Sequence, residues 1–362
     1  MTSLTVVLAP AAFKGTFGPR AVADALAVGV RAAVPDAVLL HCPVSDGGDG
    51  LLEVVLAPGA LRERVRVTGP LGHPVAAELG WLDQSTAIFA SANACGLALL
   101  RPEELDPLRA TTRGVGELIW EAVDRGARMV VVGLGGSATV DGGVGAARGL
   151  GWEVRDATGA PLGEGGGALT GAASFDGGWG LDAQVIALAD VTTPLTGPQG
   201  AAPVFAPQKG AGPAAVQTLA AGLETLGQLM ARGGRPELST LPGGGAAGGL
   251  GAGLAFFANA RLVRGSDWVL ERIGFDAALA TADLVVTAEG VFDGTSLVGK
   301  ASGEVIRRTE AEGKRVIVVA GRVEAVPPGV TAVGGDGRPL SAAGIAALAA
   351  RAVRDVLGLP VA

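Results

Sequence analysis

The sequence predicts an α/β protein of two domains, a parallel-sheet domain interrupted by an inserted mixed α/β domain. Three observations predict it: an opening order of strand, helix, strand, loop and helix; alternating segments between about Leu61 and Ala92; and a return of the opening pattern after about residue 265. The expected boundaries are 1–62 with 265–362 for the first domain and 63–264 for the insertion.

TVVLAP reads as a buried strand, and PRAVADALAVGVRAAVP carries the apolar spacing and alanine content of a helix. AVLLHCPV is a second buried strand, ending in the loop SDGGDG before the helical LLEVVLA. RERVRVTGP, HPVAAELGWL and STAIFASA alternate as antiparallel strands do, with turns at GPLG and DQS. A helix through TTRGVGELIWEAVDRGA, the buried strand MVVVGLGG, the helical GVGAARGL and the strand WEVRD follow. DLVVTAEG, ASGEVIRRTEAEG, RVIVVAG and AGIAALAARAVRDVL then restore strand, helix, strand, helix, which completes the first sheet.

Composition narrows the function. The 60 glycines lack a G-x-y period and sit among apolar segments, which excludes collagen and argues for many backbone-defined loops. No basic leader opens the chain and no apolar run reaches the roughly 20 residues of a membrane span, so a cytoplasmic protein without membrane or nucleic-acid partners is expected. The net charge of −7 means that an anionic ligand must be held by local groups. Cys42 and Cys95 lack metal or redox spacing and are expected to be reduced core thiols. Two histidines, His41 and His73, give little material for a His-based metal site or a Ser-His-Asp triad. Of the only lysines, Lys14, Lys209 and Lys300 stand in Gly-rich or Pro-bounded loops, where a compact ammonium is of use; Lys314 precedes a strand and reads as a surface residue.

Two glycine patterns are set aside. Gly243, Gly245 and Gly248 fit G-x-G-x-x-G, but a polar loop precedes them where a dinucleotide fingerprint needs a strand. Gly294, Gly299 and Lys300 fit G-x-x-x-x-G-K, but Ala301 replaces the Ser/Thr that a P-loop uses. The stronger pattern is VVVGLGGSATVDGGVG. A buried strand ends in Gly135-Gly136-Ser137-Ala138-Thr139, and a small-residue helix follows Asp141-Gly142-Gly143. Amides of successive glycines converge on an anion, and hydroxyls of Ser137 and Thr139 add donors. The alternative is a tight turn with Asp141 as an N-cap. Acids also gather at strand ends: Asp46 and Asp49 in SDGGDG, Asp190 after VIALA, Glu289 and Asp293 in TAEGVFDG. Acids so placed bind Mg²⁺ or accept a hydroxyl proton. Glycine nests, lysines and such acids together suit phosphoryl transfer, which needs positioning and charge neutralisation more than a covalent nucleophile.

The motifs Phe13-Lys14-Gly15, Asp46-Gly47-Gly48, GGSAT-x-DGG from Gly135, Asp190-Val191, PQKGA from Pro207, GAAGG from Gly245, Glu289-Gly290 and Gly299-Lys300 resemble those of the bacterial glycerate kinases. Their order agrees from about Val6 to Gly321. The resemblance implies two α/β domains, one Rossmann- or flavodoxin-like, with the active site in the cleft between them. It implies transfer of the ATP γ-phosphate to D-glycerate with Mg²⁺, suggests 2-phosphoglycerate as product, and leaves room for a homodimer. On that footing Asp190 receives the hydroxyl proton, and Lys14 and Lys209 neutralise charge. Gly135, Gly136, Ser137, Thr139, Asp141 and Lys300 hold the nucleotide, and Asp46, Glu289 and Asp293 surround the metal.

The chain departs from the family pattern at several motif positions. Ala11-Ala12 stands where the family writes D-S, Ala90 where it has a Glu, and Val140 where it has Asn. Ala288-Glu289-Gly290-Val291-Phe292-Asp293-Gly294 stands where it writes GEGR-x-D-x-Q. Taking away one hydrogen-bonding partner of a desolvated group costs about 1–3 kcal/mol. The alternative expectation is therefore a divergent paralogue with a different small hydroxy-acid acceptor, or a weakened nucleotide- or acid-binding sensor.

Overall fold

The computed structural model describes residues 3 to 360 apart from Thr295, Val298 and Arg338. Its strands are β1 (Thr5–Leu8), β2 (Val38–His41), β3 (Arg62–Thr68), β4 (Pro74–Trp81), β5 (Thr86–Ala90), β6 (Met129–Gly133) and β7 (Trp152–Asp156), then β8 (Ala172–Gly177), β9 (Gln184–Leu188), β10 (Arg261–Val263), β11 (Leu284–Phe292), β12 (Arg315–Val323) and β13 (Thr331–Gly334). The chain divides into two compact units, residues 1–55 with 265–362, and residues 56–264.

The first unit is a five-stranded sheet in the order β13-β12-β11-β1-β2, with every pairing parallel. Its central strands are nearly continuous apolar runs, as strands covered on both faces must be. Alternation of side chains sends successive residues to opposite faces. Val6, Leu8, Val286 and Val319 meet helices Pro19–Ala33 and Ala342–Leu357. Val7, Val285, Val316 and Val318 meet helices Gly265–Arg272, Phe275–Thr281 and Ala301–Ala311. Pro19 opens the first of these helices, where its missing N–H costs nothing. Gly29 lets that helix approach its neighbour: a Cβ there would lie 2.2 Å from the Ala346 carbonyl oxygen.

The second unit holds a six-stranded sheet in the order β10-β9-β6-β5-β4-β3 and the separate hairpin β7-β8. β3, β4 and β5 pair antiparallel, as their alternation predicts, while β5, β6, β9 and β10 run parallel. Helix Arg113–Asp124 buries Val115, Leu118, Ile119 and Ala122 against this sheet. A separate core forms around helix Pro213–Arg232, where Leu219, Leu223, Leu226 and Met230 meet Val140, Leu195 and Leu238. Each apolar cluster draws its residues from one unit alone. Cys42 and Cys95 are both free and buried, as expected of core thiols.

Candidate functional site

In the second unit the carboxyl ends of β5, β6 and β9 form a row, with Ala90 opposite Gly133 and Gly133 opposite Leu188. Gly135-Gly136-Ser137 therefore leaves one strand and Asp190 its neighbour, at the same edge of the sheet. Asp190 is half-buried. Gly136 adopts φ 63°, which glycine tolerates at no cost, and its carbonyl accepts from the Leu97 amide at 2.8 Å.

Lys209 is buried beneath this loop. Its Nζ donates to Ser137 Oγ at 2.9 Å and to the Thr139 carbonyl at 2.7 Å. Burial lowers its pKa to about 8, opposed by the nearby Asp141 charge. Asp141 also points inward. Its Oδ2 accepts from the amide and hydroxyl of Thr112, at 2.8 and 2.9 Å, and from the Gly145 amide at 3.1 Å. Its Oδ1 accepts from the Gly143 amide at 3.1 Å. Burial pushes its carboxyl above the ordinary range while these four donors act the other way. The first amides of the short helix Val144–Gly149 are thus satisfied by the protein's own carboxylate, close to the capping alternative. Thr139 Oγ1 is buried with no hydrogen-bond partner among the described residues, although it lies near the Cys95 thiol, which burial raises to about 12.

In the first unit the strand-end loops enclose a cavity of about 570 Å³. Lys14, Asp46, Asp49, Glu289 and Lys300 line it, together with Arg322. Glu289 is buried; its Oε1 accepts from Ser302 Oγ at 2.7 Å, and burial raises its pKa. Lys300 Nζ lies 3.8 Å from Glu289 Oε2 and 3.7 Å from Asp293 Oδ1. Asp293 Oδ1 also accepts from the Ser296 amide at 3.1 Å, and Asp46 Oδ1 accepts from the Gly48 amide at 3.0 Å. The loop ending at Lys300 does join a strand, β11, to a helix, Ala301–Ala311. The hydroxyl nearest the P-loop position is that of Ser302, one residue beyond it in the helix, and it donates to Glu289.

The sequence matches the glycerate kinase family over residues 6–338. The chain belongs to that family. It is 38% identical over 328 residues to a glycerate kinase of Bacillus subtilis (strain 168), covering 88% of this chain and 85% of that one. It is 39% identical over 325 residues to a glycerate 2-kinase of Escherichia coli (strain K12), with the same coverage. Its fold superposes on a crystal structure described as glycerate kinase 2 from Salmonella typhimurium LT2, with a TM-score of 0.83, 38% identity and 99% of each chain covered. Proteins of the glycerate kinase family are phosphotransferases with an alcohol acceptor, and this chain is one of them.

Among the described residues no group of three or more His, Cys, Asp and Glu side chains is gathered as a metal cage. Glu289 and Asp293 share the Lys300 ammonium instead. Mg²⁺ needs only one or two carboxylates beside substrate phosphates, and Asp46 with Asp49 on the cavity wall offers that. The positions that depart from the family pattern also separate: Ala11, Ala12 and Val291 line the cavity, Ala90 is buried at the end of β5, and Val140 lies in a core. Ser302, Thr112 and Arg322 escaped the sequence reading. Arg322 carried a usable signal, a charge at the end of a buried strand; Thr112 carried none, because its partner Asp141 is 29 residues away.

Proposed function

We propose that this protein transfers the γ-phosphoryl group of ATP to the C2 hydroxyl of D-glycerate, giving 2-phosphoglycerate and ADP. The supporting observation is the edge shared by Asp190 and the Gly135–Ser137 loop, which brings a proton acceptor and anion-binding backbone to neighbouring strand ends. The acceptor oxygen forms its bond to phosphorus as the bond to the ADP oxygen breaks, and its proton passes to the Asp190 carboxylate. Gly135, Gly136 and the Ser137 hydroxyl carry charge on the transferred group. Lys209, Thr139 and Asp141 hold that loop in place from beneath. Lys14 and Lys300 offset nucleotide phosphate charge, and Asp46 and Asp49 hold Mg²⁺, which when bound shields the phosphates.

The test is incubation with Mg-ATP and D-glycerate, following ADP and identifying the phosphoglycerate isomer by ³¹P NMR. Turnover to the 2-phosphate supports the proposal, and turnover to the 3-phosphate overturns the assignment of the hydroxyl. A second reading is favoured by Ala11, Ala12 and Val291 at the cavity: a less polar hydroxy acid replaces glycerate, or binding occurs without transfer. Nucleotide binding without glycerate turnover supports that second reading, and a screen of hydroxy acids separates its two forms.

A further inference from the structure

Among the described residues only two other than glycine take a positive φ, Ala247 at 52° and Asn259 at 48°. They bracket one element, helix Ala246–Phe257. Alanine is held in that region only where the surroundings over-determine it, and such strain gathers at functional sites. At the first end the surroundings are the loop after Thr139, where the Gly142 amide donates to the Gly248 carbonyl at 3.1 Å. At the far end they are a cavity of about 700 Å³, walled by Phe256, Phe257 and Asn259.

This cavity is apart from the Asp190 edge. Gln184, which opens β9, and Arg261, which opens β10, also line it, and the two strands run parallel. It therefore lies at the amino edge of the second unit's sheet, whereas Asp190 follows the carboxyl end of β9. Its less exposed lining is aromatic. The Trp152 and Phe257 rings meet edge to face at 5.5 Å, and Phe256 and Phe257 at 5.0 Å. Trp152 Nε1 is satisfied by the Phe257 carbonyl at 3.0 Å. The exposed lining residues Gln184, Asn259 and Arg261 are polar, and among the described residues their side chains have no protein partner. The lining holds neither Asp nor Glu, in a chain that carries 35 of them. Such a volume lies within the range of small-molecule sites, about 300–1,000 Å³. Aromatic walls, an unpaired guanidinium and two free amides without an opposing acid suit an organic anion with an apolar body.

We propose that this cavity is an effector site for a small aromatic acid, and that helix Ala246–Phe257 carries its occupancy to the loop at Gly135–Asp141. The carboxylate pairs with Arg261 and the side-chain amides at the mouth, and the ring lies against Trp152 and Phe257. Contact with Phe256, Phe257 and Asn259 acts on one strained end of the helix, and the other end is hydrogen-bonded to the loop. A ligand that favours one setting of the helix shifts the loop by the same difference in affinity. The site goes beyond the phosphotransfer reading, and its test needs no turnover.

The test uses the full chain and two fluorescent probes of one shape. One is 8-anilinonaphthalene-1-sulfonate, whose sulfonate stands for the carboxylate; the other is the neutral N-phenyl-1-naphthylamine. Each is titrated into the wild type, Arg261→Glu and Ala183→Trp, with circular dichroism to confirm folding. Arg261 is exposed, so its variant leaves the core intact, and Ala183→Trp fills the cavity from its wall. The expected result is binding of the anionic probe weakened about tenfold or more in both variants. The neutral probe is weakened by Ala183→Trp alone. Saturation with the anionic probe is expected to change hydrogen exchange in residues 135–143 about fivefold or more in the wild type and not in Arg261→Glu. Unchanged affinity for the anionic probe in a folded Arg261→Glu overturns the proposal, as does an equal loss for both probes. Binding that leaves the exchange of residues 135–143 unaltered overturns the effector role.

Discussion

Asp190 and Lys209 show two different uses of a charged side chain. Asp190 is half-buried at a strand end, in the place proposed for the group that takes the hydroxyl proton. Asp190→Asn removes the proton acceptor while keeping the shape, so kcat falls about 10²–10⁴-fold with an unchanged far-UV spectrum. A variant of near-normal kcat would remove Asp190 from that role. Lys209 spends its hydrogen bonds inside the protein, and burial holds its pKa at about 8 against an ordinary 10.5. Between those values the unfolded chain keeps a proton that the folded chain has released. Stability therefore rises with pH through that window, and the cost of burying the ammonium is full below it. In Lys209→Met this rise disappears, a difference read from melting temperatures measured between about pH 7 and 10. An equal rise in the variant would sink the assignment.

Glycines that look like ligand loops turn out to join one element closely to another. Gly248 has φ 73°, and a Cβ there would lie 2.0 Å from the Thr139 carbonyl oxygen. Its own carbonyl accepts from the Gly142 amide at 3.1 Å. Gly253 is as restricted, its Cβ falling 2.3 Å from the Gly142 oxygen. The start of helix Ala246–Phe257 thus lies backbone to backbone on the loop that follows Thr139. Gly248→Ala must bear the strain of the left-handed region, as Ala247 does at φ 52°, and displace that carbonyl, a combined cost of about 2–5 kcal/mol. Urea unfolding would show the unfolding free energy lowered by that amount, with a correspondingly lower midpoint; a change within experimental error would mean that the two backbones are loosely packed. The rejection of a dinucleotide fingerprint at Gly243, Gly245 and Gly248 agrees with this packing, since a short turn at Pro236–Ser239, not a strand, precedes it.

At the scale of the molecule, the two units have separate cores but unequal continuity. The second unit is one uninterrupted stretch, and both of its apolar clusters lie within residues 56–264. The first needs both chain ends, because β1 from one end pairs with β11 from the other. A fragment of residues 56–264 is therefore expected to fold alone with a cooperative thermal transition, whereas residues 1–55 alone are not. A broad, non-cooperative melt of the longer fragment would show that its core depends on the remainder.

By itself the sequence determined the opening and closing runs of strand and helix and the antiparallel alternation of β3 to β5. It also determined the family and which strand-end loops carry charge. Those signals are local: a buried parallel strand must be apolar along its length, a helix must repeat near 3.6 residues, and GGSAT-x-DGG reads off the chain directly. The direction in which a loop side chain points is not local. Asp141 and Lys209 have the composition of ligand-binding residues, yet Thr112 and Ser137, brought from 29 and 72 residues away, satisfy them inside the protein. Lys300, which is partly exposed, lies 3.8 Å from Glu289 and 3.7 Å from Asp293, a neighbourhood that its place in the sequence does not reveal. Only the tertiary structure decided these points, because a buried charge turns to whichever partner the packing brings to it, and its desolvation cost leaves it no alternative.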